Sequence, residues 1–131
     1  MVIRHARVGQ SLVEFALTAT ILLTLLLGAV DFARAYTAQV AIKNAVAEAG
    51  YFAAQNPGKT SAIRQAVKTE LRDFSPAVTD DHITVQCSGI SGTEQTLVRV
   101  QYDYPLLFSF LIPGAMVTLR SETTVPQMGG C

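Results

Sequence analysis

Histidine is nearly absent from this sequence. His5 and His82 are the only two among 131 residues, and neither stands at a metal-ligand spacing from Cys87. No glycine-rich phosphate loop and no nucleophile motif is present either. The one polar cluster with the look of a site, Asp80-Asp81-His82, reads more simply as a turn leading into a strand. Enzyme chemistry is therefore not expected, and neither is a metal or a cofactor. Ten Lys and Arg balance ten Asp and Glu, so there is no basic excess to attract nucleic acid. The most informative shortage is local: between Phe15 and Val30 no residue is charged.

That apolar run accounts for a mean hydropathy of +0.32, high for an ordinary soluble domain. Phe15–Val30 alone covers roughly 24 Å as a helix, short of the ~30 Å hydrocarbon core. Counting from Gln10 reaches the required length and takes in Glu14. Arg4 and Arg7 precede the run and Asp31 follows it, which by the positive-inside rule holds residues 1–9 in the cytoplasm and residues 31–131 outside. Three fates fit such a start. An uncleaved anchor keeps every residue. A secretory signal peptide is cut after Ala33-Arg34-Ala35. In the third case only the basic leader is removed and the apolar helix stays on the product.

Glu14 bears on the choice. A charge at mid-bilayer costs about 2.5–3.5 kcal/mol on insertion scales, and the plain reading of an acid so near the cytoplasmic end is snorkelling to the headgroups. The spacing allows a sharper one. A cut after Gly9 makes Gln10 the first residue, Glu14 the fifth and Phe15 the sixth, which is the prepilin-type processing pattern.

Residues 9–56, GQSLVEFALTATILLTLLLGAVDFARAYTAQVAIKNAVAEAGYFAAQN, resemble the N-terminal half of the TadE-like minor pilins (pseudopilins) of the tight-adherence, or Flp-type, type IV pilus system. The features that match are the Gly-Gln-x-x-x-Glu-Phe start, the apolar run ending in Gly-x-x-Asp-Phe-x-Arg, and the Ala/Asn-rich amphipathic continuation. The later VRVQYDYPLLFSFLIPGAMVTLRSE resembles the family's strand, Pro-containing loop and final strand. Phe15 stands where major Flp pilins carry Tyr, which fits the minor group. The resemblance implies a pilin-like fold and processing by a prepilin peptidase. It also implies partnership with other pilins, the inner-membrane assembly machinery and membrane lipid, in the service of adhesion, biofilm formation and surface attachment. It further implies that Glu14 pairs with the new ammonium of Gln10 on an adjacent subunit, a counter-charge that an ammonium entering a low-dielectric environment needs.

Beyond Asp31 the chain is rich in alanine and contains no proline before Asn56-Pro57-Gly58, so one helix is expected from Gln10 to Gln55. Ala35, Ala38, Ile42, Ala45, Ala49 and Phe52 form a seam, suited to packing on the subunit's own sheet or on helices in a filament. A second helix is expected from a Thr60 or Ser61 cap to Ser75-Pro76, with Ile63, Ala66, Val67, Leu71 and Phe74 on one face. Arg64, Lys68 and Arg72 make a basic stripe on the other, either a solvated face or a contact for an anionic partner. Alternation predicts strands at His82–Cys87, Leu97–Tyr104 and Val117–Thr123, with a hairpin turn at 89–93. LLFSFLIPG reads as an apolar loop lying on the membrane, on a neighbouring pilin or, in the favoured reading, over the subunit's own core. The fold class is α+β and pilin-like: a long N-terminal transmembrane helix continues into a small antiparallel three-stranded sheet domain with one extra helix. Its parts are a leader (1–9), a transmembrane half-helix (10–30) and an extracytoplasmic domain (31–131).

Cys87 and Cys131 form an even pair that permits a disulfide outside the cytoplasm, closing a loop of about 43 residues worth about 3–4 kcal/mol in the chain-entropy model. Two free thiols and an intersubunit bond remain as alternatives. A different class of function also stays open, in which the chain is an anchored or signal-peptide-released extracytoplasmic binding domain that never assembles into pili. Only the pilin reading needs Gly9, Glu14 and the retained helix together.

Overall fold

The computed structural model describes residues 5–75, 77–89, 94–110 and 112–127, without the side chains of 5–8 and 110. A helix α1 (His5–Gln55) is followed by a short helix α2 (Thr60–Glu70) and three strands, β1 (Ile83–Ser88), β2 (Gln95–Pro105) and β3 (Met116–Pro126). Single 3-10 turns at Asp80–His82 and Leu107–Phe110 precede β1 and follow β2. The strands form an antiparallel meander in the order β1-β2-β3, and the α+β expectation holds.

Alanine-rich sequence carries α1 without interruption to Gln55, the expected end. Asn56 then closes it, its backbone N–H and its side-chain amide both donating to the Phe52 carbonyl, and Gly58 takes the positive φ of 74° that turns the chain back. At the other end the helix runs past Gln10 to His5, so Gly9 and Gln10 lie inside one continuous helix of roughly 77 Å.

The C-terminal half of α1 lies across β2 and β3. The predicted seam is where the core forms: Ala38, Ile42, Ala45 and Ala49 are buried, and Val46 and Ala53 join them. On β2, Thr96, Val98, Val100, Tyr102 and Tyr104 all face this layer, with Ile83 and Val85 from β1 and Leu119 from β3. The opposite face of the sheet carries polar cross-strand pairs. Arg99 Nε donates to Glu122 Oε2 at 2.7 Å, and Thr118 Oγ1 to Asp103 Oδ1 at 2.6 Å.

Several boundaries differ from expectation. Helix α2 ends at Glu70 rather than near Ser75, because Leu71–Asp73 form a turn. That turn swings Phe74 edge-on to the rings of Tyr102 and Tyr104, at 5.3 and 6.1 Å. Thr60 is the first helical residue, not a cap, and Lys59 precedes it with no side-chain capping bond. Strand β1 keeps its expected length one residue further along, whereas β2 and β3 are longer than predicted: β2 gains both ends, and Pro105 closes it by pairing with Met116. The expected hairpin turn at 89–93 falls, in its residues 90–93, outside the described residues.

The basic stripe has an intrachain purpose. Lys68 Nζ sits 3.0 Å from Asp80 Oδ1, and Arg64 Nη1 donates to the Asp80 carbonyl at 3.2 Å. The two cations thereby tie the 3-10 turn to α2. His82 closes the same turn, its Nδ1 accepting the Thr79 backbone N–H while its ring lies 4.8 Å from that of Tyr102. Asp80-Asp81-His82 is thus the turn into a strand that the sequence suggested.

Candidate functional site

Gly9, Gln10, Glu14 and Phe15 sit on the first turns of α1 and are exposed, Phe15 by 72 %. Gln10 and Glu14 are one turn apart and share a helix face. From Leu12 to Leu26 the apolar side chains point away from the rest of the chain on every side of the helix; Leu12, Val13, Leu17, Ile21, Leu22 and Leu25 are all more than half exposed. The hydroxyls of Thr20 and Thr24 are satisfied within the helix, each donating 2.8 Å to the carbonyl four residues back. This leaves no polar side-chain hydrogen unpaired at those positions, as an apolar surrounding demands. Among the described residues this is the one helix long and apolar enough to cross a membrane.

The residue that ends the apolar run has a role the sequence did not reveal. Asp31, taken above only as a flanking charge, is 4 % exposed. Its Oδ1 accepts the backbone N–H of Leu107 at 2.7 Å and its Oδ2 that of Phe108 at 3.0 Å, while Arg34 Nη1 stands 3.7 Å away. The carboxylate therefore fixes the β2–β3 connection to the helix. This places the apolar loop differently from the favoured expectation: its described side chains do not join the core, and it docks on α1 at Asp31, leaving Leu107 and Ile112 exposed. The backbone of the loop is itself closed, Leu106 N–H donating to the Ala115 carbonyl and Ala115 N–H to that of Ile112.

Further along, Gln39 Nε2 donates to the Arg120 carbonyl at 2.9 Å, and Gln127 Nε2 to that of Ala53 at 3.0 Å. Between these points Gly50 lets β3 approach so closely that a Cβ there would stand 2.8 Å from Thr123 Cγ2. Strand β3 thus runs beside α1 in the same direction, with its first residues near Asp31 and its last near Ala53. Arg34 also lies over the ring of Tyr104, 5.7 Å from its centroid.

An open groove of about 500 Å³ borders Arg34, walled by Ala38, Leu71, Phe74 and Tyr104. Among the described residues no three His, Cys, Asp or Glu side chains gather as metal ligands. Cys131 lies outside the described residues. Cys87 is near the far end of β1, where Thr96 Oγ1 donates to its sulfur at 3.5 Å.

These features define a protein with one projecting apolar helix whose second half anchors a small sheet domain. Residues 9–50, which span the projecting half and most of the docking face, match the model of a family described as TadE-like protein. The resemblance drawn from the sequence is borne out in that segment. Neither the curated proteins nor the solved structures give a significant match.

Proposed function

We propose that the chain is a minor pilin of a Tad pilus, cut after Gly9 by a prepilin peptidase and retained as a single-pass membrane protein. In this reading residues 1–9 are a cytoplasmic leader, residues 10–30 span the membrane and residues 31–131 form the extracytoplasmic domain. The observation that carries it is the coincidence of the Gly9/Glu14/Phe15 pattern with an apolar helix that none of the described residues covers, inside the segment that matches the TadE-like family. So large an apolar surface is not left in water by a soluble monomer.

Glu14 acts in assembly. Its carboxylate pairs with the new α-ammonium of Gln10 on an adjacent pilin and sets register more than stability, since buried ion pairs gain little net energy. The partners are accordingly the peptidase, other pilins, the inner-membrane assembly machinery and lipid. Cys87 and Cys131 pair within the subunit; the described residues include no free cysteine, which favours this over two thiols.

Asp31 argues against release by a cut after Ala35. Such a cut would discard the carboxylate that holds Leu107 and Phe108 and leave two backbone donors without their acceptor, at a cost of about 1–3 kcal/mol each where they stay dry.

Intact-mass and N-terminal analysis of protein from native membranes tests the proposal. A chain beginning at Gln10 is expected, with Gly9→Leu leaving the precursor uncut and Glu14→Leu processed but not assembled. A chain beginning at Tyr36 or Met1 would refute it in favour of a released or merely anchored binding domain.

A further inference from the structure

We propose that the β2–β3 connection is a lipid-binding foot, which rests its exposed apolar side chains in the outer interfacial layer of the same membrane that α1 crosses. This rests on the reading of residues 10–30 as a membrane span. Three observations carry it.

The first is level. Val30 is the last residue of the uncharged run, and Asp31, the next residue, holds Leu107 and Phe108 by their backbone N–H groups. The loop is thereby tied to the helix at the depth where the helix leaves the hydrocarbon. The second is direction. Gln39 grips β3 at Arg120, Gly50 meets it at Thr123 and Ala53 meets the chain at Gln127. Strand β3 therefore rises away from the span, and the closed end of the β2–β3 hairpin is the end that faces the bilayer.

The third is chemistry. Leu107, Ile112 and Met116 are exposed at that end, Ile112 by 61 %, on a loop that is closed by its own backbone hydrogen bonds. Phe32 and Tyr36 stack on each other at 6.4 Å on the adjoining stretch of α1. They lie within roughly 9 Å of Val30 along the axis. That stretch begins in the headgroup zone, about 5–8 Å deep on each side of the core, and reaches its outer edge; aromatic residues gather there. An apolar tip held at this depth by a buried carboxylate has lipid as its nearest apolar surface. The helix then enters the bilayer with two attachments rather than one, which limits rotation and tilt of the domain above it.

The absence of tryptophan from the sequence makes single-tryptophan reporters direct. Ile112→Trp, Met116→Trp, Leu22→Trp and Tyr51→Trp, each in the full chain, are reconstituted sparsely in vesicles of phosphatidylethanolamine and phosphatidylglycerol with or without brominated acyl chains. Leu22 reports the span, and Tyr51 lies roughly 30 Å beyond Asp31 along the helix. The expected result is blue-shifted emission and loss of signal to bromine at Leu22→Trp and at both loop positions, with Tyr51→Trp unaffected. Quenching at Leu22→Trp without quenching at either loop position overturns the foot and leaves the membrane anchor standing; a contact with a neighbouring pilin would give this result in sparse vesicles. Quenching at Tyr51→Trp as well overturns it too, because the domain would then lie flat. No quenching at Leu22→Trp removes the span itself, and with it both readings.

Discussion

Replacing Asp31 by alanine is the most direct test of how the domain is held to its helix. The carboxylate is almost fully buried and accepts two backbone hydrogen bonds, at 2.7 and 3.0 Å. Hydrogen bonds to a charged group contribute about 1.5–3 kcal/mol each. Against this, Leu107 and Phe108 lie in a loop that is only partly buried, so that water can reach their N–H groups once the acceptor is gone. The nearby Arg34 adds little, being 3.7 Å away and 41 % exposed. A loss of about 2–4 kcal/mol follows for Asp31→Ala. Asp31→Asn keeps one acceptor oxygen but turns an amide N–H₂ toward the second donor, and should lose about 1–2 kcal/mol.

A folded unit near a hundred residues moves its Tm by roughly 4–8 °C per kcal/mol, so Asp31→Ala should melt at least about 8 °C below the unaltered chain. Near-ultraviolet circular dichroism of the detergent-solubilised chain reads this transition through the core rings of Tyr102 and Tyr104, without the signal of the long helix. Amide hydrogen exchange supplies the local control, since protection should fall first at Leu107 and Phe108. A Tm within about 2 °C of the unaltered chain, with exchange at those two amides unchanged, would refute the account of Asp31 as the lock.

Three further outcomes are expected. Gly50→Ala gains up to about 1 kcal/mol of helix propensity but sets a methyl 2.8 Å from the branched Thr123. Overpacking of this kind costs about 1–3 kcal/mol, so the variant should be less stable in urea, and Thr123→Ser, which removes the opposing methyl, should restore it. Glu122 is held below the usual carboxylate range by hydrogen bonds from Arg120 and Arg99. A lowered folded pKa means its stabilisation is complete above the unfolded value near 4.3 and is lost as pH falls through the folded one. The Tm advantage of the unaltered chain over Glu122→Gln should then be present at neutral pH and shrink on acidification below that value; an advantage that grows on acidification would contradict it. If Cys87 and Cys131 pair, reduction raises the intact mass by two hydrogens without splitting a dimer and costs about 4 kcal/mol in the chain-entropy model; a halved mass on reduction would instead reveal an intersubunit bond.

What the sequence disclosed follows from the kind of signal each feature leaves. Helix α1 and its seam were legible because alanine content and a spacing of three or four residues report burial locally, and Ala38, Ile42, Ala45 and Ala49 are buried as that spacing required. Strand β2 was legible for the same reason at period two. The early end of α2 was not, because Leu71 and Phe74 continue its apolar face in sequence while the backbone turns between them to bring Phe74 against Tyr102. The destination of the apolar loop was illegible for a stronger reason: composition says that a segment avoids water and is silent on which surface takes it in.

Asp31 shows the limit most plainly. Its partners lie 76 and 77 positions away and are backbone N–H groups, which any residue but proline supplies and which therefore leave no mark in a sequence. Gln39 likewise grips a carbonyl, that of Arg120. In both cases the side chain belongs to residues 9–50, the part that matches the TadE-like family, and the partner is main chain in the part that does not. A helix that holds its sheet by side chain to backbone asks of that sheet only a strand and a connection at the right level, with core-facing residues to cover the seam. Gln127 reverses the arrangement at the far end, its side chain donating to the main-chain carbonyl of Ala53, so helix and sheet are fixed at both ends by side chain to backbone and the side-chain packing between those points is left to the core.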